Sequence, residues 1–309
     1  MDKILTVAQT IAPIFVTLIL GSFSRRKDLI KPEEAQGVQQ FVMKFGLPCV
    51  LFNSCLTAEI GAESISTMVL VIPFMVLSTV LAFRARKTKF PYHNLPMLFA
   101  AQESGMLGIP LFMILFGANQ AYRMGVLDLA QTTTAITTIA ILSAAAGSNP
   151  TPGEIVKKVI TSPFMVASLL GLVLNLTGIA AWMDGIGIGS IITESTGFLA
   201  QPVSAMMIFC VGYNFSLAKG NRTAIFQISA IHIIWFAVVG LLIQLALFLI
   251  PNVDSLTRWA ILMFTTLPAS YLSPSLGRSE EDYTVASGVC SILSVTSLIV
   301  FCIVAVVVV

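Results

Sequence analysis

Long apolar runs separated by short polar or basic interruptions dominate this chain. Ten stand out, at residues 4–23, 36–56, 64–83, 97–117, 122–146, 155–179, 191–217, 223–250, 256–277 and 283–309. About twenty apolar residues at a rise of about 1.5 Å cross the roughly 30 Å hydrocarbon layer of a bilayer, so each run predicts a membrane-spanning helix. The first is too long for a signal-peptide core and has no convincing cleavage site, so it is expected to stay as a helix. The expected fold class is an all-α polytopic membrane protein.

Five of the runs are interrupted. The fourth carries Glu103 in mid-run, followed by Gly105, Gly108 and Pro110. A carboxylate at that depth costs several kcal/mol, and proline removes a backbone hydrogen bond from the helix. Broken backbone in hydrocarbon is tolerated where it lines a cavity, and paired broken helices build the substrate sites of many transporters. The plain alternative is a proline kink beside a buried, satisfied glutamate. The second run has Lys44 just before Gly46-Leu47-Pro48, the sixth has Ser162-Pro163, and the seventh has Gln201-Pro202. The ninth is interrupted at Leu267-Pro268-Ala269-Ser270 and again at Pro274. Runs five and ten carry polar stripes instead: Asp128, Gln131 and a set of threonines in one, Ser287, Ser291 and Ser294 in the other.

The interruptions recur in the same order in the two halves. This predicts a five-helix repeat at 1–147, a linker at 148–154 and a second repeat at 155–309. Five is odd, so the second copy enters the membrane from the opposite side, which makes an inverted repeat with the fourth and ninth helices crossing at their breaks.

Composition agrees: 56% of the 309 residues are hydrophobic, 10% are charged, and mean hydropathy is +0.91. The net charge of +2 and the lack of a long basic run give no reason to expect a nucleic-acid partner. Cys49, Cys55, Cys210, Cys290 and Cys302 are odd in number and form no CxxC pair, so they read as packing or lipid-facing residues, not as a metal site. The two histidines, His93 and His232, lie in different segments, and no nucleophile or metal set for an intramembrane enzyme is evident. His232, Trp235 and the Ser/Thr stripes read as helix-packing residues. Thirteen of the seventeen Lys and Arg residues fall in, or within a few residues of, the loops after odd-numbered runs. The positive-inside rule then puts both termini outside the cytoplasm of a multi-pass plasma-membrane protein, in a bacterium the inner membrane.

The chemistry follows from the breaks. Half-helices that meet at a crossing present uncapped N–H groups with partial positive charge, which suit a small organic anion. Substrate-binding candidates are Lys44, Asn53, Glu103, Ser104, Gly105, Gly108, Pro110, Pro268, Ala269, Ser270 and Tyr271. Lys44 adds a full positive charge unless it snorkels to the surface or pairs with an acid such as Glu103. Glu103, Asp128 and Gln131 are ion-coupling candidates for H+ or Na+, unless Asp128 instead lies at the outer interface. No other cofactor is expected.

Several short motifs resemble the auxin efflux carrier family, which includes bacterial malate and malonate permeases and plant auxin carriers. They are Phe45-Gly46-Leu47-Pro48 with Leu51-Phe52, Gly108-Ile109-Pro110-Leu111 with a polar residue five positions before it, Ser162-Pro163 with Gly171, and Leu267-Pro268-Ala269. The resemblance implies ten helices in two inverted repeats, a fold shared with sodium/proton antiporters and bile-acid symporters. It also implies a scaffold of helices 1, 2, 6 and 7, a moving transport domain of helices 3–5 and 8–10, and an elevator-type permease for a mono- or dicarboxylate. A homodimer through the scaffold is a further expectation. By the same resemblance Ser162 joins the substrate candidates, although Glu103 and Ser162 both stand where the family usually has asparagine. A cation/proton antiporter or sodium-coupled symporter of the same fold is the rival reading.

Overall fold

The computed structural model describes residues 2–58, 61–144, 153–154, 157, 161–215, 221–251 and 253–308. Most of the expected linker at 148–154, and residues 155, 156 and 158–160 of the sixth run, lie outside these. Helices account for nearly all the described structure: α1 (Asp2–Arg26), α2 (Pro32–Phe41), α3 (Leu47–Leu56), α4 (Ala62–Thr88), α5 (Met97–Ala100), α6 (Ile109–Phe116) and α7 (Ala121–Ala144) in the first half. The second half holds α8 (Pro163–Leu176), α9 (Ile179–Gly185), α10 (Ile188–Ala200), α11 (Val203–Asn214), α12 (Arg222–Ala246), α13 (Ser255–Thr265) and α14 (Glu280–Val308). Among the described residues six helical stretches are long and apolar enough to cross a bilayer, and α8 with α9, bent by 77°, makes a seventh. The short α9 was not foreseen. It follows Gly178, whose φ of 74° turns the chain as only glycine does easily.

Proline does not act alike in these runs. Pro13 and Pro73 sit inside α1 and α4. The two Gly-x-Pro motifs are also absorbed. Val42–Gly46 and Ser104–Gly108 are π-helical turns leading directly into α3 and α6, so Pro48 and Pro110 occupy first-turn positions. Proline lacks the N–H that would continue the ladder there, and the wider π turn before it accommodates the change. The second run is therefore continuous from Pro32 to Leu56.

The helices pack in two groups. One joins α1–α3 with α8–α11, and the other joins α4–α7 with α12–α14. In the first group backbones touch at glycine: a Cβ on Gly21 of α1 would meet Phe209 O and Tyr213 N of α11. One on Gly171 of α8 would meet Phe52 O and Leu56 N of α3. Small residues permit such approach where dispersion, not water exclusion, holds helices together.

Hydrogen bonds between connections sort the ends of the helices into two sets. In one, Arg25 donates to Tyr213 O (3.3 Å), His93 N–H donates to Asp282 Oδ1 (2.9 Å), and Arg86 donates to His93 Nδ1 (2.6 Å). Burial, with the Arg86 and Arg278 guanidiniums nearby, holds the His93 imidazole below the usual histidine range. It therefore stays neutral and accepts from Arg86. In the other set Asn175 donates to Cys55 O (3.0 Å) and Ala58 O (2.8 Å), while Arg123 pairs with Asp254 at 2.7 Å.

Candidate functional site

The fourth run opens at Ala101–Glu103, where Ala101 is fully extended (φ −151°, ψ 141°). This is seven to nine residues before Pro110, the position from which sequence reasoning placed the break. The ninth run opens after Thr265, where Pro268 pushes the residue before it out of helical conformation. The two openings lie against each other as an isolated antiparallel bridge between Gln102 and Ala269. Glu103 N–H donates to Pro268 O (2.8 Å), and Ser270 N–H donates to Ala101 O (3.0 Å). With its amide nitrogen turned to the second break, Gln102 also donates to Leu267 O (2.9 Å) and Pro268 O (3.2 Å). Each break thus satisfies backbone groups that the other exposes, as hydrocarbon demands.

Glu103 joins the two openings a second time through its side chain. One carboxylate oxygen accepts from Met106 N–H (3.2 Å) in the π turn that starts the next half-helix. The other accepts from Tyr271 N–H (2.7 Å), just past the second break. The donors that sequence reasoning offered to a bound anion are held here by the chain's own carboxylate.

The α7 helix supplies the rest. Gln131 accepts from Gln102 N–H (2.6 Å) and donates to Gln102 O (2.8 Å), replacing the partners that the opened backbone lacks. Its amide also reaches Ser104 Oγ (3.1 Å) and Asp128 Oδ1 (2.9 Å), and Ser104 Oγ–H donates to that same Asp128 oxygen. Thr134 Oγ donates to Ala100 O (2.8 Å). Asp128 therefore faces the crossing, not the interface, which Arg123 marks at the start of its helix. On the opposite side the Cys290 thiol approaches Ala269 O (3.7 Å) and Ser270 O (3.8 Å), and the Tyr271 hydroxyl meets Ser294 Oγ at 2.8 Å.

Of the named candidates, Glu103, Ser104, Asp128, Gln131, Pro268, Ala269, Ser270 and Tyr271 come together here. Gly105 faces Met43 and Leu47, at 3.8 Å from an added Cβ, and Gly108 packs on Leu267 and Met124. Pro110 is buried in the first turn of α6, eight residues beyond Gln102. Lys44 is exposed on the π turn of the second run and makes no ion pair with Glu103. Ser162 caps α8, accepting from Met165 N–H (3.3 Å). Asn53 accepts from Thr196 Oγ (2.7 Å) and lines a separate cavity of about 480 Å³ beside Asn119, Thr193 and Gln201. Gln102, Thr134 and Cys290 were missed as site residues, although a Gln-Glu-Ser triplet in an apolar run already marks a polar centre.

The electrostatics are one-sided. Among the described residues the single Lys/Arg–carboxylate pair is Arg123–Asp254, so Glu103 (9% exposed) and Asp128 have no basic partner. Removing an ionised carboxylate from water without such a partner costs several kcal/mol. Hydrogen bonds compensate these two carboxylates instead, from Met106 N–H and Tyr271 N–H to Glu103 and from Ser104 and Gln131 to Asp128. No group of three His, Cys, Asp or Glu side chains that could hold a metal ion is present among the described residues.

Two broken helices crossing over buried carboxylates in a multi-pass helical protein are an arrangement that membrane transporters use. Residues 6–153 match the model of a family described as membrane transport protein, the auxin efflux carrier type to which the motifs point. The chain is also 25% identical over 190 residues to a protein of Methanothermobacter thermautotrophicus named an uncharacterized transporter, covering 59% of this chain and 61% of that protein. The match thus spans about three-fifths of that relative's length. Both matches are to proteins described as membrane transport proteins or transporters.

Proposed function

We propose that this chain is a secondary active permease for a small organic anion, a mono- or dicarboxylate, whose movement is coupled to a cation at Glu103. The observation that carries the reading is the Glu103 carboxylate seated on N–H groups of both broken helices with no basic partner. A substrate carboxylate seeking those donors competes with Glu103. Protonation of Glu103 weakens its hold on Met106 N–H and Tyr271 N–H and removes a repelling charge, so proton and anion favour each other's binding. Sodium would act alike, with Ser104, Asp128 and Gln131 adding oxygen ligands.

The same reading takes α1–α3 with α8–α11 as a scaffold and the other helices as a transport domain moving past it, in ten spans related by an inverted repeat. Two seams support the repeat. Gly21 meets a carbonyl and the N–H four residues later (209 and 213), and Gly171 meets the corresponding pair (52 and 56). Their helices come from opposite halves in opposite order. The basic ends that include Arg25, Arg86 and Arg278 would face the cytoplasm of the inner membrane, with both ends of this chain on the far side and the scaffold available for a homodimer.

A second reading, cation/proton antiport, is favoured by one feature: Asp128 accepts from Ser104, the residue beside Glu103, placing two carboxylates in one core. Proteoliposomes separate the two. Labelled malate or malonate should accumulate against unlabelled dicarboxylate inside, faster as external pH falls. Sodium/proton exchange without any organic anion would instead establish the antiporter.

A further inference from the structure

We infer that a groove between α4 and α12 holds one acyl chain of an anionic phospholipid from the basic-loop leaflet, with Lys89 at its headgroup. The groove encloses about 190 Å³ and is almost wholly apolar. On α4 its wall is the stripe Ser78, Ala82, Ala85 and Lys89, and the small alanines create the hollow. Facing them on α12 are Ile228, Ile231 and Trp235, with Phe99 beneath. Leu81 and Ile231 on the rim are 38% and 40% exposed, whereas Ala82 and Ile228 inside are 4% and 1% exposed, so the hollow opens sideways between two apolar helices.

Length and charge select the occupant. Eleven residues separate Ser78 from Lys89, about 16 Å at helical rise, close to half of a roughly 30 Å hydrocarbon layer. The deep end is closed where Trp235 Nε1–H donates to Ser78 Oγ (2.7 Å). At the mouth Lys89 is exposed, its Nζ 5.4 Å from the centroid of the Phe90 ring, while Arg86 is turned to His93. An apolar slot one leaflet deep with an ammonium group at its mouth complements a negatively charged lipid. A basic residue near the surface contributes about 1 kcal/mol to such binding.

Trp235 reports occupancy directly. With Trp182 and Trp259 replaced by phenylalanine, the full chain is reconstituted in phosphatidylcholine vesicles containing brominated phosphatidylglycerol or, separately, brominated phosphatidylcholine at equal mole fraction. Brominated phosphatidylglycerol should quench Trp235 more strongly. The preference should fall about fivefold in Lys89→Gln, the equivalent of about 1 kcal/mol, and persist in Lys89→Arg. It should vanish in Ala85→Leu, which fills the slot. Equal quenching by the two lipids, or an unchanged preference in Lys89→Gln, would overturn the assignment, whether or not Ala85→Leu folds.

Discussion

The two breaks that meet at the crossing are alike in backbone and unlike in chemistry. At the first break one helix supplies strong polar side chains: Gln131 bonds both the N–H and the carbonyl of Gln102, and Thr134 covers Ala100 O, while Ala101 O and Glu103 N–H pair with the second break. At 266–271 the neighbouring helix offers only a thiol, and Glu103 of the first break supplies the acceptor for Tyr271. Both carboxylates and the amide of Gln131 thus lie on the α5–α7 side, while Tyr271, Cys290 and Ser294 make the other side neutral. Two breaks with matching backbone can thus carry their charge on one side only. In the proposed mechanism this confines coupling to a single side chain, and the second break serves as its docking surface.

Three substitutions probe that asymmetry. The largest effect should come from Gln131→Leu, which strips partners from a buried N–H and a buried carbonyl at about 1–3 kcal/mol each. Unfolding in detergent should show a loss of about 2–4 kcal/mol. Tyr271→Phe removes the hydroxyl contact to Ser294 and should cost about 1 kcal/mol in the same assay. Cys290→Ala removes only a weak donor and should cost less than about 1 kcal/mol. A Cys290 variant as damaged as the Gln131 variant would show that the two breaks are held equally, contrary to this description.

The helical class and the main polar centre were legible in the sequence because the bilayer imposes them: run length follows from its thickness, and Glu103, Asp128 and Gln131 stand out where polar groups are costly. The exact opening of the fourth run was not. Gly108-Ile109-Pro110 looks like a breaker, but a π turn absorbs it, as one also absorbs Gly46-Leu47-Pro48. The chain leaves the helix at Ala101, whose own sequence gives no warning, because Gln131 and Ala269 supply partners to Gln102 from 29 and 167 residues away. Leu267-Pro268 was readable because proline acts there on the residue before it. A missed signal lay in α1 and α8: Pro13 precedes Gly21 by eight residues, as Pro163 precedes Gly171. Lys44 misled by composition alone, since spacing could not show that it points away from Glu103.

Glu103→Gln, reconstituted in proteoliposomes, tests the coupling role most directly because it keeps the shape and deletes the charge. The glutamine carbonyl can still accept from Tyr271 N–H or Met106 N–H, so folding and unlabelled-for-labelled dicarboxylate exchange should survive. Uptake against a gradient, and its acceleration by an inward proton or sodium gradient, should be lost. If the variant still accumulates substrate with the full ion dependence of the parent, Glu103 only braces the two breaks and the coupling account is wrong.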